Sequence, residues 1–470
     1  MIFSSIFFLF IFLPITLILY YIVPMKAKDY ILLVCSLIFY AWGEPIYVLL
    51  MIFSILFNYF SGLAIDSYKR QKDRRLVRFT LIFSIVINLA MLGFFKYSGL
   101  FVSTFCNMLG IESHYSALAL PVGISFYTFQ AMSYVIDLYW GNVRVQKNVV
   151  TFGVYITMFP QLIAGPIVRY KDVVKQLKNK RLNLTHFVDG VAWFIRGLSK
   201  KVLLANNIGA MHEQILALSE RSVVTAWIGA LCYTMQIYFD FGGYSDMAIG
   251  LGKMLGFDFV KNFDYPYTSK SVTEFWRRWH ISLGTWFREY VYIPMGGNRG
   301  GTLKNIRNIM IVWMLTGFWH GAAWNFLLWG VYYGVLLIIE KFVLRNVLDH
   351  IPGFIREFIT FILVVFGWVI FFSNDIASAF SYLGNMFGNG AAGFFDSDAA
   401  YYLVTNIILI IICFIASRPF IWNLSQRLLS RSRNKTVKYI ICVVIYSLLL
   451  FICIAYMVNN TYNPFLYFRF

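Results

Sequence analysis

Apolar residues run along this chain in blocks longer than a soluble core helix needs. "FSSIFFLFIFLPITLILYYIV" (3–23) and "YIICVVIYSLLLFICIAYMV" (439–458) each reach the ~20 residues that cross a ~30 Å hydrocarbon layer. The ~10-residue alternating segments of a membrane barrel are absent. Lipid offers the backbone no hydrogen bonds, so a spanning segment must satisfy its own, and a helix does so. The pattern predicts an all-α polytopic membrane protein.

Polar clusters between the blocks set the expected topology, because Lys and Arg mark cytoplasmic loops. "MKAKD" (25–29) reads as inside. Spans at 30–42 and 46–65 form a hairpin around "GEP" (43–45), and "DSYKRQKDRRLVR" (66–78) returns inside. A span at 79–99 exits to a loop, 100–118, with almost no basic charge. "RYKDVVKQLKNKR" (169–181), "RGLSKK" (196–201) and 341–357 read as inside, and 381–400 as outside. "RPFIWNLSQRLLSRSRNKTVK" (418–438) reads as a basic amphipathic helix on the inner surface. The last span then exits, so both termini are expected outside. Uneven apolar runs at 140–170 and 183–260, interrupted by Gly and Pro, suit broken or re-entrant helices lined by protein or water. Met1–Val23 has no basic start and no small-residue cleavage site, so it reads as a retained first span.

Composition agrees. Of 470 residues, 59% are hydrophobic and 13% charged. Mean hydropathy is +0.67. The net charge of +18 sits in short loops, which is a topology signal rather than a nucleic-acid footprint. Cys35, Cys106, Cys232, Cys413, Cys442 and Cys453 lie in apolar segments without a C-x-x-C pair. They read as small hydrophobes, and no metal site is expected. With no repeat and no soluble segment, the chain reads as one membrane-embedded domain, 1–470.

Soluble-enzyme motifs are missing. "GGNRGG" (296–301) lacks the Lys-Ser/Thr of a nucleotide loop and reads as a turn. Chemistry concentrates instead on two of six histidines. His280 stands in "EFWRRWHISL" and His320 in "LTGFWHGAAWNFLLWG", while His114, His186, His212 and His350 lie in loops or near charges. Counted from Ile309, the 11 residues to Trp319 rise ~16 Å, which places His320 near mid-membrane. An ionisable group there is costly and marks a cavity or pathway. A neutral imidazole can take a proton from a nucleophile and return it to a leaving group near pH 7. The small residues Gly317 and "GAA" (321–323) suggest room for a substrate. A packing role for His320 is the competing reading.

The stretch "YVYIPMGGNRGG…RNIMIVWMLTGFWHGAAWNFLLWG" resembles the signature of the membrane-bound O-acyltransferase (MBOAT) superfamily, most closely its alginate O-acetylation type. Further matches are "FYAWGEPIYVLL" (39–50), "PVGISFYTFQAMSYVIDLYWG" (121–141), "MFPQLIAGPIVRY" (158–170), "DFGGYSDMAIGLGKMLGFDFVKNFDYPY" (240–267) and the terminal "NPFLYFRF". The resemblance implies a ring of roughly 11–13 transmembrane or re-entrant helices around a thin central reaction site. It implies His320 as the family's invariant histidine and His280 as its partner. It also implies an acyl donor such as acetyl-CoA on the cytoplasmic side and a polysaccharide acceptor outside. A separate extracytoplasmic protein of the SGNH esterase-like type would complete the transfer.

Arg277, Arg278, Arg288 and Arg299 are candidates to hold the donor's phosphates; their competing reading is positive-inside topology. Asp240 and Asp246 read as core hydrogen-bonding groups or as caps of a helix starting near Gly242. Asn325 and Trp324 read as packing. Two other functions fit the apolar pattern. One is a proton- or solute-conducting transporter, which would place acids within its spans or carry an inverted repeat. The other is a membrane scaffold for a secreted acyltransferase.

Overall fold

The computed structural model describes residues 1–112, 115, 118–163, 165–431 and 435–459. His114 and the terminal "NPFLYFRF" therefore lie outside the described residues. Within them the chain is helical, with no strand. Among the described residues, six helices are long and apolar enough to cross a membrane: 47–70, 74–109, 324–342, 353–372, 397–416 and 436–459. The protein is an all-α, multi-pass membrane protein. By its contacts it forms two compact units, Met1–Phe194 with Ser245–Val260, and Ile195–Tyr244 with Lys261–Phe470.

The first unit begins with α1 (Leu13–Ile22), continued backward by a π-helical turn, Phe8–Phe12. Then come α2 (Lys28–Ala41), α3 (Tyr47–Arg70) and α4 (Arg74–Leu109). Asp73 caps α4, accepting from the backbone N–H of Arg75 and Leu76 at 3.0 Å each. Gly110, in the left-handed region at φ 66°, ends it. The helix thus overruns the expected 79–99 span and takes up 100–109, expected as loop. Its 36 residues extend ~54 Å, well beyond a hydrocarbon core. Asn58 of α3 and Asn88 of α4 exchange amide hydrogen bonds of 3.1 and 2.9 Å, both fully buried, the kind of polar contact that joins helices in lipid. After α5 (Ile124–Trp140), the 140–170 stretch is broken as expected. The chain turns at Met158 between α6 (Val149–Thr157) and α7 (Phe159–Leu162), where Pro160 sits in the first turn. α8 (Tyr170–Lys178) is a short amphipathic helix.

α9 (Leu184–Ser199), whose first part belongs to the first unit and whose last part opens the second, passes through a π-helical turn, Lys200–Ala205, into α10 (Asn206–Leu216). "RGLSKK", expected as an inner loop, is therefore helix, and Lys201 is buried. It pairs with Asp240 at 2.7 Å. Asp240 lies in the middle of α11 (Val223–Met254), so no helix starts near Gly242 and the core role holds. α12 (Val272–Arg278) and α13 (Ile281–Phe287) are short. The "GGNRGG" segment is a turn, with Gly296, Gly297 and Gly301 at positive φ.

α14 (Thr302–His320) and α15 (Trp324–Phe342) form a tight hairpin. A Cβ on Gly317 would meet the Phe326 carbonyl oxygen at 2.2 Å, and one on Gly330 the Trp313 carbonyl oxygen at 2.3 Å. These glycines let two backbones touch. A Cβ on Gly321 would fall 2.1 Å from the Phe326 ring. The space by Gly317 and Gly321 is thus filled by the hairpin itself, not left for a substrate. After α16 (Arg345–Leu348), α17 (Gly353–Phe372) packs on the hairpin, and Asn325 donates to the Ser373 carbonyl at its end (2.7 Å). α18 (Ile376–Met386) occupies part of the expected 381–400 loop. α19 (Ser397–Ala416), α20 (Phe420–Arg431) and α21 (Lys435–Asn459) complete the unit.

Candidate active site

His280 and His320 belong to the same unit and meet around one indole. The Trp319 ring lies 5.0 Å from the His320 ring and 6.0 Å from the His280 ring, centroid to centroid. The two imidazoles singled out from sequence, 40 residues apart in the chain, are therefore parts of one constellation.

His320 is the last residue of α14, and Gly321 turns out of the helix. Trp329 and Phe371 stand edge-on to its ring at 5.0 and 5.3 Å. Trp368 and Phe326 pack behind them. His320 is 6% exposed. Its surroundings are apolar rings that exclude water and hold the imidazole in one orientation. α14 starts at Thr302, seven residues before Ile309, and its 19 residues rise ~28 Å.

His280 sits at the corner between α12 and α13. Ser271 caps α12 through the Glu274 N–H (3.0 Å), and the Glu340 carboxylate accepts from the N–H of Val272 at 2.7 Å, a favourable place for an anion. After Arg278 the chain extends at Trp279 and then adopts φ 44°, ψ 53° at His280. A side-chain-bearing residue in this left-handed region is strained by ~1–2 kcal/mol. Such strain gathers at functional sites. The His280 ring packs edge-on to Phe241 at 4.7 Å, and its Nδ1 lies 3.2 Å from Asn262 Oδ1. Asn262 stands in the family-like segment 240–267, within "KNFDYPY", where the sequence does not set it apart from its polar neighbours.

The four arginines divide. Arg278 is engaged by Glu274 at 2.7 Å and by the Thr268 hydroxyl at 3.1 Å. Arg288, mostly exposed, lies 3.7 Å from Glu289. Arg277 and Arg299 are exposed. Sequence reasoning also missed Trp329 and Phe371 as site walls, since an aromatic in an apolar helix carries no distinguishing signal. Of the other histidines, His186 bonds Asp258 at 2.9 Å and His212 bonds the Gly229 carbonyl at 2.9 Å. No cluster of three or more metal-ligating side chains occurs among the described residues.

Two buried imidazoles in an apolar site can shuttle a proton between a nucleophile and a leaving group. The profile of the membrane-bound O-acyltransferase family matches residues 143–382. The chain is 42% identical to the "Probable alginate O-acetylase AlgI" of Pseudomonas aeruginosa, over 83% of this chain and 75% of that protein. It is 41% identical to the protein of the same name from Azotobacter vinelandii, over 88% and 84%. It is 35% identical to the "Peptidoglycan O-acetyltransferase" of Helicobacter pylori, over 83% and 81%.

Proposed function

The chain belongs to the membrane-bound O-acyltransferase family, and from that premise we propose that it passes an acetyl group from a cytoplasmic thioester, acetyl-CoA, across the membrane for O-acetylation of an exported polysaccharide such as alginate. The observation that carries this reading is the meeting of His280 and His320 on Trp319 inside an aromatic enclosure. Relatives named for alginate and peptidoglycan O-acetylation support the substrate class.

His320 takes the proton of the accepting hydroxyl as its oxygen attacks the thioester carbonyl. The carbon–sulfur bond breaks, an ester forms, and the proton leaves with the thiol of the donor. His280 is the partner that takes up or relays that proton. The ring of apolar side chains keeps water from hydrolysing the thioester. Arg277 and Arg299 attract the donor's phosphates; Arg278 and Arg288 are already beside carboxylates.

The protein sits in the cell membrane with both termini outside. The acyl group then moves from that ester to a hydroxyl of a separate extracytoplasmic protein of the SGNH esterase-like type, whose proton returns to the released oxygen, and that protein modifies the polymer. The reading is tested by reconstitution in proteoliposomes, with labelled acetyl-CoA on the cytoplasmic face and a polymer outside. Label is expected to reach the polymer only when the second protein is present. Transfer to polymer by this chain alone would contradict the handoff, and no consumption of acetyl-CoA under any condition would contradict the enzyme reading.

A further inference from the structure

We infer that Asn262 fixes the tautomer of His280, holding the ring proton on Nδ1 and leaving the lone pair on Nε2 for proton transfer. The inference rests on the acyl-transfer reading above and adds a positioning residue to it.

The backbone N–H of Ser282 can only donate, and it lies 3.1 Å from one atom of the Asn262 amide. That atom must be the oxygen, because a flipped amide would set NH₂ against N–H. The Ser282 hydroxyl donates to the same oxygen at 2.9 Å. Flipping would give up the bond from the Ser282 N–H and set two donors against each other. The amide keeps this orientation even though its Nδ2 is buried and has no hydrogen-bond partner among the described residues.

The oxygen then determines the imidazole. Asn262 Oδ1 lies 3.2 Å from His280 Nδ1. A carbonyl oxygen has no proton to give, so Nδ1 must carry one. A neutral imidazole holds a single ring proton. Nε2, on the other edge of the ring, is therefore the basic nitrogen.

The backbone holds this geometry in place. The Ile281 N–H donates to the Asn262 main-chain oxygen at 3.0 Å, and the Asp264 N–H donates to the Arg278 carbonyl at 2.9 Å. Residues 262–264 and 278–281 are thus tied to each other on both sides of the contact. Tyr265, at φ 45°, follows the first stretch, and His280, at φ 44°, lies within the second. A pair of strained corners braced against each other suits a ring that must keep one orientation.

The test follows the ring nitrogens directly, by ¹⁵N NMR of histidine-labelled full-length protein in lipid nanodiscs. His280→Gln assigns the signal. In the natural protein Nδ1 is expected protonated and Nε2 bare at neutral pH. Asn262→Asp keeps an acceptor at the same place and should preserve both that pattern and most of the acetyl transfer. Asn262→Ala should lose the pattern and at least about tenfold in transfer, at unchanged amounts of folded protein. If Asn262→Ala does not fold, the natural protein and Asn262→Asp still decide. A bare Nδ1 in the natural protein, or inactivity of Asn262→Asp with its Nδ1 still protonated, would overturn the inference. The NMR pattern is read without turnover, so its failure is distinct from failure of the acyltransferase reading.

Discussion

Lys201 and Asp240 face each other at 2.7 Å, each side chain only 2% exposed. Lys201 Nζ and the Asp240 carboxylate are both out of water. Removing one takes a counter-charge at 2.7 Å from the other, and breaking a buried pair this way costs about 3–5 kcal/mol. Lys201→Met and Asp240→Leu should each lower the folded fraction sharply in detergent. The double variant should recover most of it, because a buried pair replaced by apolar groups is often neutral. A thermal-unfolding series by size-exclusion chromatography checks this; equal loss in the single and double variants would deny the coupling.

Gly321 and Phe326 separate two explanations of the small residues after His320. If the missing Cβ admits the Phe326 ring, Gly321→Ala should destabilise the hairpin by about 1–3 kcal/mol. Trimming the ring in Gly321→Ala/Phe326→Leu should then restore stability. If the space served substrate, the trimmed variant would remain as impaired in transfer as Gly321→Ala. Yield of folded protein and transfer rate, measured on both variants, decide the matter.

Asp396 joins two helix starts. Its carboxylate accepts from the Thr225 hydroxyl (2.7 Å) and the Ala399 N–H (2.7 Å), and from the Ser222 N–H at 3.1 Å. Burial pushes its pKa up, but the bonds from Thr225, Ala399 and Ser222 outweigh that and hold the carboxyl below its usual range. The folded value is below the unfolded one. The stabilisation is therefore fully present above the unfolded value of about 4 and lost as pH falls through the folded value. Asp396→Ala should cost about 1 kcal/mol at neutral pH and nothing further at the acid end. Melting curves of both proteins across pH 3–7 should converge toward the acid limit.

Lys72 lies exposed in the turn between α3 and α4. The surrounding Lys and Arg are the basis for its proposed cytoplasmic side. With the six native cysteines replaced, Lys72→Cys should resist a membrane-impermeant thiol reagent in intact cells and react after permeabilisation. Labelling in intact cells would reverse the proposed orientation.

Much of this molecule is legible in its sequence because lipid imposes one demand on every spanning segment. Apolar length alone brings out α3, α17, α19 and α21. The "GEP" hairpin follows from turn residues. Boundaries are less legible where no charge or glycine stops a helix; α4 runs to Gly110, past the point where hydrophobic thickness is exhausted. Lys201 reads as a loop charge because its counterion, Asp240, is 39 residues away and only folding brings them together. The two histidines stand out because an imidazole in an apolar run is conspicuous. Asn262 does not stand out, since its role depends on which way one amide faces. The glycines beside His320 were visible, but their purpose depends on Phe326, which folds back from the next helix.

The most direct measurement concerns His320. His320→Ala, expressed at the level of the natural protein and shown to be inserted and folded, is compared with it for acetyl content of the exported polymer and for acetyl transfer in proteoliposomes. Loss of a general base of this kind lowers rates by on the order of 10²–10⁴, so acetylation should fall to background, with His280→Ala severe but less complete. Near-normal acetylation in His320→Ala would leave His320 as a packing residue and contradict the mechanism.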